Sequence, residues 1–260
     1  MDRNWQEELI SFTEFLKNID VEKYSNLRQI KTVEQDLTRD LLPLEIFYRF
    51  YWESYDFKDF DEVFRIYWNE KLSPYIYDFI KKYFYGCSLM FVEEGFRARL
   101  YRIWMSILTQ FQFQYLWNAK FQEKLYSSAD LDSLGIDAVV ELGNKKIGLQ
   151  IKKISLRREA SDRRFTRRQQ KYADIIAEIP YLVLDTEDLK NKLKSSRVKQ
   201  TNKEKYYALL QAFTENFIKY QNGFVVFAEA YLQKIYNVIM TKLADIQPGQ
   251  KISYSEFLNW

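Results

Sequence analysis

The chain has 260 residues, close to half of them apolar, with 39 Lys/Arg against 36 Asp/Glu, seven Gly and four Pro, which bounds it as one large or two small folded domains with little low-complexity sequence. It contains no His and a single Cys, Cys87, so histidine-based catalysis, His-ligated zinc, an internal disulfide and a multi-cysteine metal site are excluded. Any catalysis must use carboxylates, lysines, tyrosines or a metal held by oxygens.

The opening residues, Met1 to Glu8, have no basic n-region followed by an apolar core, and the longest apolar runs, such as Phe224 to Ala228, are far too short to span a membrane. A cytoplasmic protein with no membrane partner is expected. Residues 1–125 read as mostly helical. Trp5, Leu9, Phe12, Leu16 and Ile19 recur at helical intervals. Pro43 is placed to open a helix carrying Phe47, Phe50 and Tyr51. Phe60 to Leu72 and Tyr75 to Tyr85 form two more, punctuated by Ser73-Pro74. The aromatic stripes could stack bases, but their helical spacing and lack of basic neighbours favour a core. Cys87 is expected to be small, reduced and partly buried. Ser88 to Asn118 reads as one long helix or as two broken at Gly95; Glu94 on it is a candidate extra acid, or a surface partner of Arg97 or Arg99.

Phe121 to Ser127 is a candidate first strand, and Ser128 to Gly135 a polar loop in which Asp130 and Asp132 approach Asp137. Ile136 to Leu142 and Lys146 to Ile154 read as two strands joined at Gly143-Asn144. Side chains alternate faces along a strand. Asp137 is therefore expected to share a face with Val139 and Glu141, opposite Ile136, Ala138 and Val140. On the second strand Gln150 and Lys152 share a face, and Lys153 points away. An acid, an amide and a lysine then converge. That set suits phosphodiester hydrolysis: Asp137 and the Ile151 backbone carbonyl can hold Mg²⁺ with waters and a substrate phosphate, and Lys152 can hold that phosphate or orient water. Glu94, Asp130, Asp132 or Glu141 could complete the acid set.

Ser155 to Arg168 is very basic and reads as an irregular arm. Gln169 to Glu178 reads as a crossover helix with Tyr172, Ile175 and Ile176 inward, and Tyr181 to Leu184 as a short buried strand after Pro180. Residues 186–202 read as a second basic, mobile-looking segment. Lys203 to Tyr220 and Phe227 to Ala244 read as helices separated by Asn222-Gly223, and the tail as a turn at residues 247–250 followed by docking of Tyr254, Phe257, Leu258 and Trp260. Residues 152–171 carry nine Lys/Arg against two acids, and residues 190–205 seven against one. One such run is usually a solvated face. Two of them on an otherwise acidic chain, the first touching the candidate site, favour a polyanion such as nucleic acid. Arg157, Arg158, Arg163, Arg164, Arg167, Arg168, Gln169 and Gln170 supply the side-chain types that read guanine and adenine, although most arm residues are expected on phosphates.

Asp137 followed by Gln150-Ile151-Lys152 resembles the PD-(D/E)XK nuclease superfamily, with Gln150 standing where the pattern usually has an acid. A closer resemblance rests on three stretches: Ile30 to Leu37, Arg97-Ala98-Arg99-Leu100-Tyr101-Arg102, and Gly135-Ile136-Asp137 with Gln150-Ile151-Lys152. These look like the TaqI-type type II restriction endonucleases. The resemblance implies Mg²⁺-dependent cleavage of double-stranded DNA at TCGA, after the T of each strand. It implies Asp137, Gln150 and Lys152 as catalytic positions and a cognate DNA methyltransferase that protects the host site. A palindromic site suggests a homodimer. A structure-specific repair or junction nuclease and a non-catalytic DNA-binding module are the rival readings. The expected fold is α/β (α+β): a helical N-terminal region (1–120) packed on a nuclease core of mixed sheet (121–185), then a basic segment and C-terminal helices (186–260), as one compact domain.

Overall fold

The computed structural model describes residues 4–30, 41–83, 87–154 and 165–258. Their contacts divide the chain into two units, residues 1–111 with 221–224, and residues 112–220 with 225–260.

The first unit is helical. It contains α1 (Trp5–Asn18), α2 (Ser25–Gln29), α3 (Leu44–Tyr48), α4 (Phe60–Tyr67), α5 (Ile76–Tyr83) and the first two-thirds of α6 (Leu89–Lys120). Asn4 and Asp59 cap α1 and α4 by accepting from the third residue onward, as helix starts favour. Most aromatic residues of the helical stripes lie in the core of this unit: Tyr51, Phe60, Tyr101 and Trp104 are buried together, Phe12 packs on Phe15 and Phe57, and the Trp104 indole donates to the Tyr51 hydroxyl at 2.7 Å. Asp61 gathers Lys23 (2.6 Å), Arg97 (2.5 Å) and the Tyr24 hydroxyl (3.2 Å). Arg97 is thus paired with Asp61 and not with Glu94. Gly95 does not break α6, which is continuous. Cys87 is exposed, contrary to the expected partial burial.

The second unit is built on a four-stranded mixed sheet in the order β1-β2-β3-β6. β1 (Ala138–Leu142) and β2 (Lys145–Ile154) form the expected antiparallel hairpin, with Gly143 and Asn144 both at positive φ in its turn. β3 (Ile175–Leu182) runs parallel to β2, and β6 (Lys251–Ile252) parallel to β3. Around them lie α7 (Ala129–Ser133), α8 (Thr186–Lys194), α9 (Gln200–Asn216) and α10 (Glu229–Lys242). A separate hairpin is made of β4 (Phe217–Lys219) and β5 (Val225–Phe227).

Several expectations fail here for identifiable reasons. Phe121 to Ser127 is not a strand, because its polar groups close the end of α6: Asn118 accepts from Leu125 N, Trp117 donates to Glu123 O and Lys124 to the carbonyls of Asn118 and Phe121, leaving only a Tyr126–Val139 bridge. Residues 169–178 form no helix. A 3₁₀ turn ends at Lys171, Tyr172 is exposed, and Ile175 onward is a strand whose eight residues are all buried. A doubly covered parallel strand is uniformly apolar and shows no period of two, so it is easily read as a helix segment. Pro180 is accommodated inside β3 because β6 pairs only with Ile176 and Ala177, leaving that stretch with one neighbour. Within the second basic segment, residues 186–194 form α8, capped by Asp185 and tied by Lys190–Glu187 and Lys192–Asp188 pairs, and a turn at residues 195–199 leads into α9. The apolar run before α10 forms β5. No helix among the described residues is long and apolar enough to cross a membrane.

Candidate active site

The site begins with α7, where a loop was expected. Ser128 caps its start, its hydroxyl accepting from Leu131 N. At its end Gly135 N donates to Asp132 O (2.7 Å) and Ile136 N to Leu131 O (3.0 Å), with Gly135 at φ +75°. This pair of bonds is the Schellman closure, and the Leu131–Ile136 contact completes it. A helix of five residues is too short to show a period, so only Ser128 and Gly135 mark it in the sequence. Ile136 consequently does not follow the strand alternation expected of it. It packs with Leu131, Ala173 and Ile176 over Gly148, where a Cβ would meet Ile176 Cδ1 at 2.7 Å, Ala173 Cβ at 3.0 Å and Ile136 Cγ2 at 3.3 Å.

Two side-chain amides hold the turn after α7. Gln169 Nε2 donates to Leu134 O at 2.9 Å, and Gln150 Nε2 donates to Gly135 O. Gln169 is buried and its amide oxygen accepts from Thr166 N (3.0 Å) and Thr166 Oγ1 (3.2 Å). It therefore does not belong to an exposed DNA-binding arm; its polar groups close the last turn of α7. The same reasoning accounts for Gln rather than Glu at position 150, since a carboxylate cannot donate to a carbonyl.

Asp137, two residues beyond Gly135, is fixed on every backbone group. Its amide donates to Leu149 O (2.9 Å), and its carbonyl accepts from Gln114 Nε2 on α6 (2.9 Å) and Ser127 Oγ (2.5 Å). Its carboxylate accepts from Ile151 N at 2.5 Å. Asp137 thus lies immediately before β1, whose first pair is Ala138–Leu149, and meets β2 at Leu149 and Ile151, on either side of Gln150. Gln150 in turn is registered with Glu178 on β3. Burial raises the Asp137 pKa well above the usual carboxylate range, and the charge of Asp132 raises it further; the Ile151 amide and Lys152 work in the opposite direction. Lys152 ends on Glu178 Oε1 at 2.5 Å, and Lys251 reaches the same oxygen at 3.0 Å. Glu178 is almost fully enclosed, its side chain 4% exposed. It was not among the candidates that the sequence supplied. An acid inside an apolar run was its one signal, and its face is defined only once residues 175–182 are a strand.

Asp137, Asp132, Gln150, Lys152 and Glu178 thus gather at one end of the sheet. Of the other acids, Asp130 is exposed on α7, Glu141 is exposed on β1, and Glu94 is exposed on α6 in the first unit. Lys153 is exposed, as expected of a side chain turned from the site. Arg167, Arg168 and Gln170 are exposed next to the buried Gln169. Arg157, Arg158, Arg163 and Arg164 lie outside the described residues, as do residues 31–37 of the N-terminal motif. Among the described residues, no three His, Cys, Asp or Glu side chains cluster to hold a metal unaided. The donor set still fits a hard divalent cation. Asp132 and Asp137 repel each other across a short gap, and Mg²⁺ takes few protein ligands and completes its shell with carbonyls, waters and phosphate.

A family model described as TaqI restriction endonuclease matches residues 9–239. The chain is 40% identical over 257 residues, 95% of each chain, to the type II restriction enzyme TthHB8I of Thermus thermophilus. It is 42% identical over 236 residues, 88% of this chain and 87% of the other, to the type II restriction enzyme TaqI of Thermus aquaticus. No solved structure matches it.

Proposed function

Because the chain belongs to the TaqI restriction endonuclease family, whose members are site-specific deoxyribonucleases, we propose that it hydrolyses double-stranded DNA at the palindrome TCGA, after the T of each strand, with Mg²⁺ and as a homodimer. A cognate methyltransferase protects the host's own sites. The observation that carries this reading is the Asp137 carboxylate anchored on the Ile151 amide, with Asp132 close enough to raise its pKa and Lys152 on the neighbouring strand.

The roles follow from the donor chemistry. Asp137 and Asp132 are the carboxylate ligands, and the Ile151 carbonyl is the third protein donor. The N–H and C=O of one strand residue point to the same side, so an Ile151 amide that meets Asp137 carries its carbonyl toward the same edge. Bound Mg²⁺ supplies charge neutralisation on the phosphate and a more acidic water. Lys152 holds the scissile phosphate and stabilises the charge that builds on its non-bridging oxygens. Gln150 is a positioning residue: through Gly135 it holds the turn that sets Asp137. Arg167 and Arg168, with the arginines of the preceding arm, meet DNA phosphates and steer the duplex onto the face. Glu94 remains a candidate for a further carboxylate.

Digestion of a DNA of known sequence in Mg²⁺, with mapping of the cut ends, tests the reading. Discrete fragments ending at TCGA are expected. Random fragments, or fragments ending at another sequence, would overturn the assigned specificity.

A further inference from the structure

Lys152 and Lys251 converge on one oxygen of Glu178, at 2.5 Å and 3.0 Å, and all three side chains are largely enclosed, 22%, 16% and 4% exposed respectively. One buried carboxylate needs one cation, and this one has two. The two lysines are placed unequally. Lys152 lies on β2, two residues from Gln150, on the strand that meets Asp137; Lys251 lies on β6, on the far side of β3. We propose that Lys251 is a positioning residue that makes Lys152 available to DNA: it keeps Glu178 compensated when Lys152 turns from the carboxylate to the scissile phosphate. The inference rests on the assignment of Lys152 to the phosphate.

The physical reason lies in the cost of an orphaned buried charge. A carboxylate enclosed to this degree and stripped of its partner is strongly disfavoured. With no second cation on Glu178, Lys152 would be held in the ion pair, and each approach to phosphate would leave Glu178 alone. With Lys251 at 3.0 Å the acid keeps a partner throughout. The short C-terminal strand β6 then has a role beyond extending the sheet: it delivers that second cation through the Ile176–Lys251 register.

The test is single-turnover cleavage in Mg²⁺ of a plasmid that the wild-type protein cuts, with DNA affinity measured separately in Ca²⁺ and thermal unfolding recorded for each variant. Lys251→Met is expected to slow cleavage by about tenfold or more, the factor that corresponds to a coupling of about 1.4 kcal/mol, with DNA affinity changed little. Lys251→Gln, whose amide can still donate to Glu178, should fall between Lys251→Met and wild type. The double variant Glu178→Gln/Lys251→Met removes the buried acid as well, and should cleave faster than Lys251→Met alone. A merely structural Lys251 would make the double variant as slow as the single or slower, and that result overturns the inference. So does a wild-type rate in both Lys251 variants. A wild-type protein that cuts no DNA in Mg²⁺ would instead overturn the nuclease reading of the site, and this inference with it.

Discussion

Gln150 donates its side-chain amide to the carbonyl of Gly135, joining β2 to the turn that leads into Asp137. The position where the nuclease pattern usually has an acid is therefore occupied by a group whose hydrogen is in use. The acid that accompanies Asp137 comes instead from α7, as Asp132, close enough to act on the Asp137 charge.

Replacing Gln150 with Ala removes that bond and leaves the exposed Gly135 carbonyl to water. We expect a loss of about 0.5–1 kcal/mol in stability and slower cleavage at unchanged DNA affinity. Gln150→Glu should be no better, because it cannot donate and adds a third negative charge beside Asp137 and Asp132. Urea unfolding and single-turnover cleavage check both variants; full stability in Gln150→Ala would contradict the capping role.

Gly148 lies beneath Ile136, Ala173 and Ile176 with no room for a methyl group. Gly148→Ala is expected to destabilise the protein by about 1–3 kcal/mol, as overpacking of a filled core does, with the midpoint of urea unfolding as the measure. An unchanged midpoint would mean that the cluster over β2 is not close-packed.

Asp137 gives a pH signature. Its folded-state pKa is raised, chiefly by burial, so a proton on it favours the folded, metal-free protein. That contribution is complete below the ordinary unfolded carboxylate pKa and is lost as pH rises through the raised folded value. Metal-free stability should therefore fall across that window, and Asp137→Asn should unfold at a higher temperature than wild type at neutral pH in EDTA. Calorimetry across pH checks this. Mg²⁺ competes with that proton for the carboxylate, so the pH at which cleavage fails on acidification should move down as Mg²⁺ is raised.

Arg167 and Arg168 are exposed immediately before the buried Gln169 that anchors the arm. Replacing both with Ala should weaken DNA binding and reduce the slope of log affinity against log salt by about one for each phosphate that is no longer neutralised. Titrations in Ca²⁺ at several salt concentrations measure it; an unchanged slope would remove these two arginines from the DNA surface.

The hairpin was legible because everything that defines it is local: turn residues at Gly143-Asn144, alternation in β1, and a register that follows from the turn. Asp137 and Lys152 were proposed on the same local pattern, and the resemblance to TaqI-type enzymes agrees with the family match. That match favours a restriction enzyme over the repair-nuclease and non-catalytic readings. The features that stayed hidden depend on distant partners. β3 is apolar except for Glu178 and buried along its whole length, so it carried no period. β6 has two residues and exists only through its pairing with β3. α7 is held by caps, not by an amphipathic face. Glu178 and Lys251 are invisible as site residues until those strands are placed, since neither has a sequence neighbour in the hairpin. Gln169 was misread for the complementary reason: a basic arm suggests DNA, but one of its residues folds inward onto Leu134.

In the proposed mechanism, phosphodiester cleavage depends above all on the Asp137 carboxylate held by the Ile151 amide. The decisive measurement is plasmid cleavage by Asp137→Ala in Mg²⁺, with DNA binding followed in Ca²⁺. Cleavage should fall by several orders of magnitude while the folded protein still binds DNA. Cleavage at the wild-type rate would show that the reaction runs without this carboxylate and would refute the mechanism.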